Sequence, residues 1–128
     1  MTFAFWCVLA GALMPILWTI IAKWGGPDRM PTAANRAPRE FLSGLHGRQQ
    51  RANWAQLNAF EAFPAFAAAV IIAHVTGGSQ IWIDRLAGVW VASRLAHGLF
   101  YLADWPSMRS FAYFAGMACV IGLFVVAA

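Results

Sequence analysis

Residues 51–64 read Arg-Ala-Asn-Trp-Ala-Gln-Leu-Asn-Ala-Phe-Glu-Ala-Phe-Pro and open an apolar run that continues through Phe66, Val70, Ile71 and Ile72. With its lead-in, the run is long enough to cross a bilayer, which takes about 20 residues of helix. Yet Arg51, Gln56, Asn58 and Glu61 lie within it. On a helix, Arg51, Asn58 and Glu61 stand seven and then three residues apart and share one stripe. A charged residue at the centre of a membrane helix costs ~2.5–3.5 kcal/mol on insertion scales, so it should face protein, water or a ligand. The stretch therefore predicts a transmembrane helix that carries a functional site on one face.

The whole chain agrees. Of its 128 residues 61% are hydrophobic and only 11% charged, and the mean hydropathy is +0.61. A soluble domain of this size needs more polar surface. The apolar residues are also blocked into runs, as membrane spans are. The expected fold is an all-α integral membrane protein: a four-transmembrane-helix bundle forming one domain over residues 1–128. Its spans run roughly over 2–23, 52–75, 80–103 and 108–127, with a basic loop over 24–51. So small a bundle buries little alone, which favours self-association.

Span one is apolar throughout, with Pro15 inside and Lys23 and Trp24 closing it. It does not read as a cleaved signal peptide, because no basic residue precedes it and no small-x-small site follows. The loop beyond carries Gly25, Gly26, Pro27, Pro31, Pro38, Gly44 and Gly47, too many breakers for one continuous helix. Six of the nine basic residues, Lys23, Arg29, Arg36, Arg39, Arg48 and Arg51, lie in or beside it. The positive-inside rule places this loop in the cytoplasm and both termini on the far side. Basic residues clustered for topology and for lipid headgroups do not suggest nucleic acid.

Span two ends before Thr76-Gly77-Gly78-Ser79, with Pro64 expected to bend it and His74 read as interfacial. Span three opens with Asp84 and Arg85, read as solvated. Deeper in, Arg94, His97 and Tyr101 follow one another on a single stripe. Span four begins with Arg109, Ser110 and Tyr113 and continues apolar, with Gly116 and Gly122 permitting close packing. Cys7 and Cys119 lie in apolar runs and read as small buried hydrophobes, with no disulfide framework or metal spacing. No metal site is expected. Antiparallel helices bring the polar sets of spans two, three and four to one depth near the cytoplasmic face. Arginines suit carboxylates there, Glu61 an ammonium, and Asn58 and the tyrosines amides: a small, anionic, multiply hydrogen-bonding ligand.

The pattern Arg51-x-x-x-Ala55-Gln56-x-Asn58-x-x-Glu61-x-Phe63-Pro64 resembles the second-helix signature of the MAPEG family, the membrane-associated proteins of eicosanoid and glutathione metabolism. Arg94-x-x-His97-x-x-x-Tyr101, followed by Arg109-Ser110-x-x-Tyr113, is similar to the matching stripe of the microsomal prostaglandin E synthase branch. The loop ending Asn35-Arg36-x-Pro38-Arg39-Glu40 looks most like bacterial members. The resemblance implies a homotrimer in a bacterial inner membrane, with glutathione bound between neighbouring subunits as cosubstrate. It implies that Arg51, Gln56, Asn58, Glu61, Arg94, His97, Tyr101 and Tyr113 hold glutathione, with Arg109 stabilising its thiolate and Ser110 assisting. Trp54 stands where most catalytic members have a second arginine, and Ala62 where the leukotriene-forming branch has a tyrosine.

Two functions follow from the resemblance. One is a glutathione-dependent transferase or peroxidase acting on lipophilic electrophiles that arrive from the membrane lipids. The other is a non-catalytic lipid-binding or accessory subunit of a larger membrane complex, a role that one branch of the family fills. Generic lipid-facing Ala, Val, Phe and Leu do not name the substrate.

Overall fold

Four long helices and a short connecting segment account for nearly all of residues 1–128 in the computed structural model, which describes the whole chain. Helix α1 spans Phe3–Trp24, α2 Pro38–Ser43, α3 Gly47–Val75, α4 Gln80–Ala103 and α5 Pro106–Ala127. The four long ones are each apolar and long enough to cross a membrane. An even number of crossings returns both termini to the same side. Helices α1 and α3 pack together, as do α4 and α5, and α3 and α4 join the two pairs.

Each end has a local cause. Thr2 caps α1, its hydroxyl accepting from the Phe5 N–H at 3.4 Å. The Ala4 N–H instead donates to Asp84 Oδ1 at 2.8 Å, and Gln80 Nε2 donates to the same oxygen at 2.9 Å. Asp84, expected to be solvated, is thus half-buried and ties the start of α1 to α4. The first turn of a helix leaves N–H groups unpaired, and a carboxylate is a favourable partner for them. His74 is exposed, as expected at an interface, with Nδ1 3.1 Å from Gln80 Oε1.

Pro15 lies inside α1 and Pro64 inside α3, yet both helices run on through them. Near Pro15 the Thr19 hydroxyl donates to the proline carbonyl at 2.8 Å, the back-bond to residue i−4 that serine and threonine often make within helices. The connecting segment is irregular apart from a 3₁₀ turn at Thr32–Arg36 and α2, which starts on Pro38. Helix α3 begins at Gly47, inside the stretch read as loop, because the helix extends past the apolar residues that mark the span. What anchors this overhang is Gln49, buried among the loop backbone. Its Nε2 donates to the carbonyls of Ala22 and Asp28, both at 2.8 Å, and its Oε1 accepts from the Asp28 N–H at 3.1 Å.

The core divides into two apolar clusters. One gathers Cys7, Phe66, Val70, Ile83, Trp90 and Leu123, with the Phe66 and Trp90 rings stacked at 3.7 Å. The other gathers Met14, Trp18, Leu42, Leu45 and Leu102 around Ala52, Ala55 and Ala59. Small residues recur on the buried face of α3, which lets helices approach closely where lipid offers no hydrophobic drive. Gly98 is the tightest such position: a Cβ there would collide with the Trp18 indole. Both cysteines are free and buried.

Candidate functional site

The polar residues of α3, α4 and α5 meet where the cytoplasm-facing half was expected, beside the α4–α5 turn. Helical spacing brings Arg94, His97 and Tyr101 onto one face of α4, and that face turns inward: Arg94 and His97 are each only 3% exposed. The Arg94 guanidinium donates through Nη2 to Asn58 Oδ1 on α3. The same nitrogen lies 3.3 Å from His97 Nδ1. A guanidinium has no acceptor, so His97 accepts at Nδ1 and carries its proton on Nε2. His97 meets the Tyr101 ring edge-on at 5.2 Å and the Tyr113 ring at 6.4 Å.

The α4–α5 turn sets the other wall. Asp104 ends α4 with φ +58°, a left-handed conformation that aspartate tolerates better than most residues. Pro106 then starts α5, and Arg109 and Ser110 follow in its first turns. The Arg109 Cζ lies 4.4 Å from the Tyr101 ring centre, so the charge rests on an aromatic face. The Ser110 hydroxyl donates to the Pro106 carbonyl at 3.1 Å. Asn58, His97, Tyr101, Arg109, Ser110, Tyr113 and Phe114 enclose a cavity of about 240 Å³. No carboxylate lines it, so its charge is positive, and its remaining polar groups are an amide, an imidazole and three hydroxyls.

The other sequence-predicted residues lie elsewhere. Arg94 lines a separate crevice above the cavity, with Tyr113 common to both linings. Arg51 reaches the end of α4, its Nη2 3.4 Å from the Leu102 carbonyl and its Nε buried without a partner. Gln56, two residues from Asn58, projects from a different side of α3. There it lines a groove of about 420 Å³ with Arg39, Asn53 and Phe60, and its Oε1 has no partner. Glu61 is exposed on α3 and lies at none of these hollows. Within one chain, then, the expected single chamber holds Asn58, His97, Tyr101, Arg109, Ser110 and Tyr113, with Arg94 behind it. Arg51, Gln56 and Glu61 are at its periphery or beyond. Phe114, which sequence reading passed over, closes the cavity's side; its only signal was adjacency to Tyr113. No cluster of residues suited to a metal ion is present.

Against family models, residues 3–128 match the MAPEG family. The chain belongs to the MAPEG family. The match covers all four long helices, so the MAPEG chain is a multi-pass integral membrane protein. Comparison with curated proteins and with solved structures finds no match. MAPEG membership suggests a glutathione-related function, of the transferase or peroxidase kind or related to it.

Proposed function

We propose that this MAPEG chain is a glutathione-dependent membrane transferase or peroxidase acting on lipophilic electrophiles. The observation that carries it is the cavity in which His97, Tyr101, Arg109 and Tyr113 converge with no carboxylate among its walls. A site of net positive charge, part-screened from water, favours an anion and above all a thiolate. A free thiol has a pKa of about 8.5, and holding its thiolate two units lower takes only ~2.7 kcal/mol from a nearby cation. Arg109, at the cavity wall, supplies that charge; Asn58 and the tyrosines hydrogen-bond the peptide amides.

In the transfer reaction the thiolate sulfur forms a bond to an electrophilic carbon. The electron pair displaced from that carbon moves onto the substrate's acceptor atom, which then takes up the proton lost by the thiol. In the peroxidase reaction the sulfur attacks the peroxide oxygen and the O–O bond breaks. The alkoxide takes a proton, and a second glutathione converts the sulfenic acid to disulfide and water.

The assembly we propose is a homotrimer in a bacterial inner membrane. Its support is Glu61, an exposed carboxylate within a membrane span, which is costly against lipid and calls for a protein or ligand neighbour. Arg51, Gln56 and Glu61 would then complete the glutathione site across a subunit boundary. The second reading is a non-catalytic lipid-binding or accessory subunit of a larger membrane complex. It is favoured by Trp54, an exposed indole where most catalytic members carry arginine.

The test is turnover of purified protein with glutathione and lipophilic electrophiles, in the wild type and in Arg109→Ala. The enzyme requires wild-type turnover that depends saturably on glutathione and collapses in a folded Arg109→Ala protein. A protein that turns over nothing, yet copurifies stoichiometrically with another membrane protein regardless of Arg109, identifies the accessory subunit instead.

A further inference from the structure

Helix α3 begins at Gly47, one turn before Arg51, and its opening turn has little of its own to hold it. His46 stands at the N-cap without a side-chain cap bond, and no acidic residue lies in the first turn. Arg48 and Arg51 instead set positive charge near the positive end of the helix dipole. The turn is held by Gln49, whose side chain is only 2% exposed. Its Nε2 donates to the carbonyls of Ala22 and Asp28, and its Oε1 accepts from the Asp28 N–H. Both N–H groups and the carbonyl are thus engaged. Asparagine is a methylene too short for this, and glutamate lacks the donors. The loop also fits itself to this amide: a Cβ on Gly26 would collide with it. Two residues beyond Gln49, Arg51 reaches across to α4. Its Nη2 meets the Leu102 carbonyl and its Nε is buried without a partner, so one bond ties the guanidinium within the chain. Leu102 lies in the last turn of α4, and the turn that leads to Arg109 follows it.

We infer that Gln49 is a positioning residue: by latching the first turn of α3 to the end of α1 and to Asp28, it sets the Arg51 guanidinium beside the α4–α5 turn. This rests on the glutathione reading, in which Arg51 helps complete the tripeptide's site, and deepens it by naming what holds Arg51 in place. Gln49 itself is not among the residues that line the cavity. Without its amide the opening turn frays, as an uncapped helix end with adverse charge does. Arg51 then loses the fixed base from which its long side chain reaches Leu102. A guanidinium that must be ordered as the ligand arrives binds it more weakly than one already in place. Arg109 stands on α5 and keeps its position, so binding suffers and the chemical step does not.

The experiment is a double-mutant cycle on the full chain, pairing Arg51→Ala with Gln49→Met, which keeps the bulk of the side chain without its hydrogen bonds. Gly26→Ala disturbs the same latch from the loop side and takes the place of Gln49→Met should that variant not fold. Glutathione KM and kcat are measured together with amide exchange in the α4–α5 turn. The expected result in either latch variant is a roughly tenfold rise in glutathione KM, the size of one lost hydrogen bond to a charged group. Holding kcat meanwhile marks lost binding rather than lost chemistry. In an Arg51→Ala background the latch variant adds nothing, because its effect passes through Arg51. Additive losses in the double variant, an unchanged KM, or a fall in kcat without a rise in KM overturn the inference. Should the wild type bind no glutathione, the glutathione reading fails and the positioning of Arg51 is judged by exchange alone. The Asp104 and Trp105 amides, bonded to the Tyr101 and Phe100 carbonyls, then exchange faster in the latch variant and equally fast in Arg51→Ala and the double variant. Exchange unchanged from wild type, or faster in the double variant than in Arg51→Ala, overturns it.

Discussion

At the residue scale, the site depends on two arginines placed differently. Arg109 rests its charge on the Tyr101 ring at the wall of the open cavity, whereas Arg94 is locked between Asn58 and His97. Removing Arg109 should therefore leave the fold intact and slow the chemical step. Arg109→Ala is expected to lower kcat by ~10²–10³, as loss of one preorganised charge-stabilising group does, with unfolding temperature nearly unchanged. Arg94→Lys keeps a charge but ends one atom short of Nη2, the single nitrogen that meets both Asn58 and His97. Both stability and activity should fall in that variant, by about 1–3 kcal/mol for the unmet buried groups, as thermal unfolding in detergent would show. The stripe Arg94, His97, Tyr101 was legible in sequence because helical spacing alone puts it on one face. Which hollow each side chain serves was not legible, since that depends on how α5 lies against α4.

At the element scale, helix contacts are set by small residues and by single polar anchors. Gly98 faces Trp18 so closely that Gly98→Ala must push α1 away from α4. Overpacking of this kind typically costs about 1–3 kcal/mol, and a lower unfolding temperature would register it. The carboxylate of Asp84 closes the first turn of α1 from a neighbouring helix. Asp84→Ala should cost about 0.5–2 kcal/mol, in line with loss of a helix cap, while leaving the polar cavity at the other end untouched. Turnover equal to wild type alongside reduced stability is the expected pair of readings. Four apolar runs separated by glycine and proline made the helices plain from composition. Asp84 was misjudged because a carboxylate near a span end looks the same whether it meets water or the free N–H of a distant helix. Gln49 escaped notice for a similar reason: three backbone partners made it structural, one at the end of α1 and two at Asp28, in a loop without periodicity.

For the molecule as a whole, residues on α3 that sequence spacing joined to one stripe separate into three surroundings. Asn58 faces the cavity, Arg51 the end of α4, and Glu61 the outer surface. The stripe from Arg51 to Glu61 covers eleven residues, about three turns of helix, and is long enough to be shared between an interior and a boundary, which explains the divergence. In the proposed homotrimer that boundary is a subunit interface, so Glu61→Lys should weaken assembly more than it weakens the single chain, as native mass spectrometry would show. The whole account stands on an anionic thiol tripeptide occupying the hollow among His97, Tyr101, Arg109 and Tyr113. Calorimetric titration of glutathione into the purified wild-type protein tests this most directly. Saturable binding at millimolar concentration or below, weakened by Asn58→Ala, is the expected result; no binding heat across the millimolar range would contradict it.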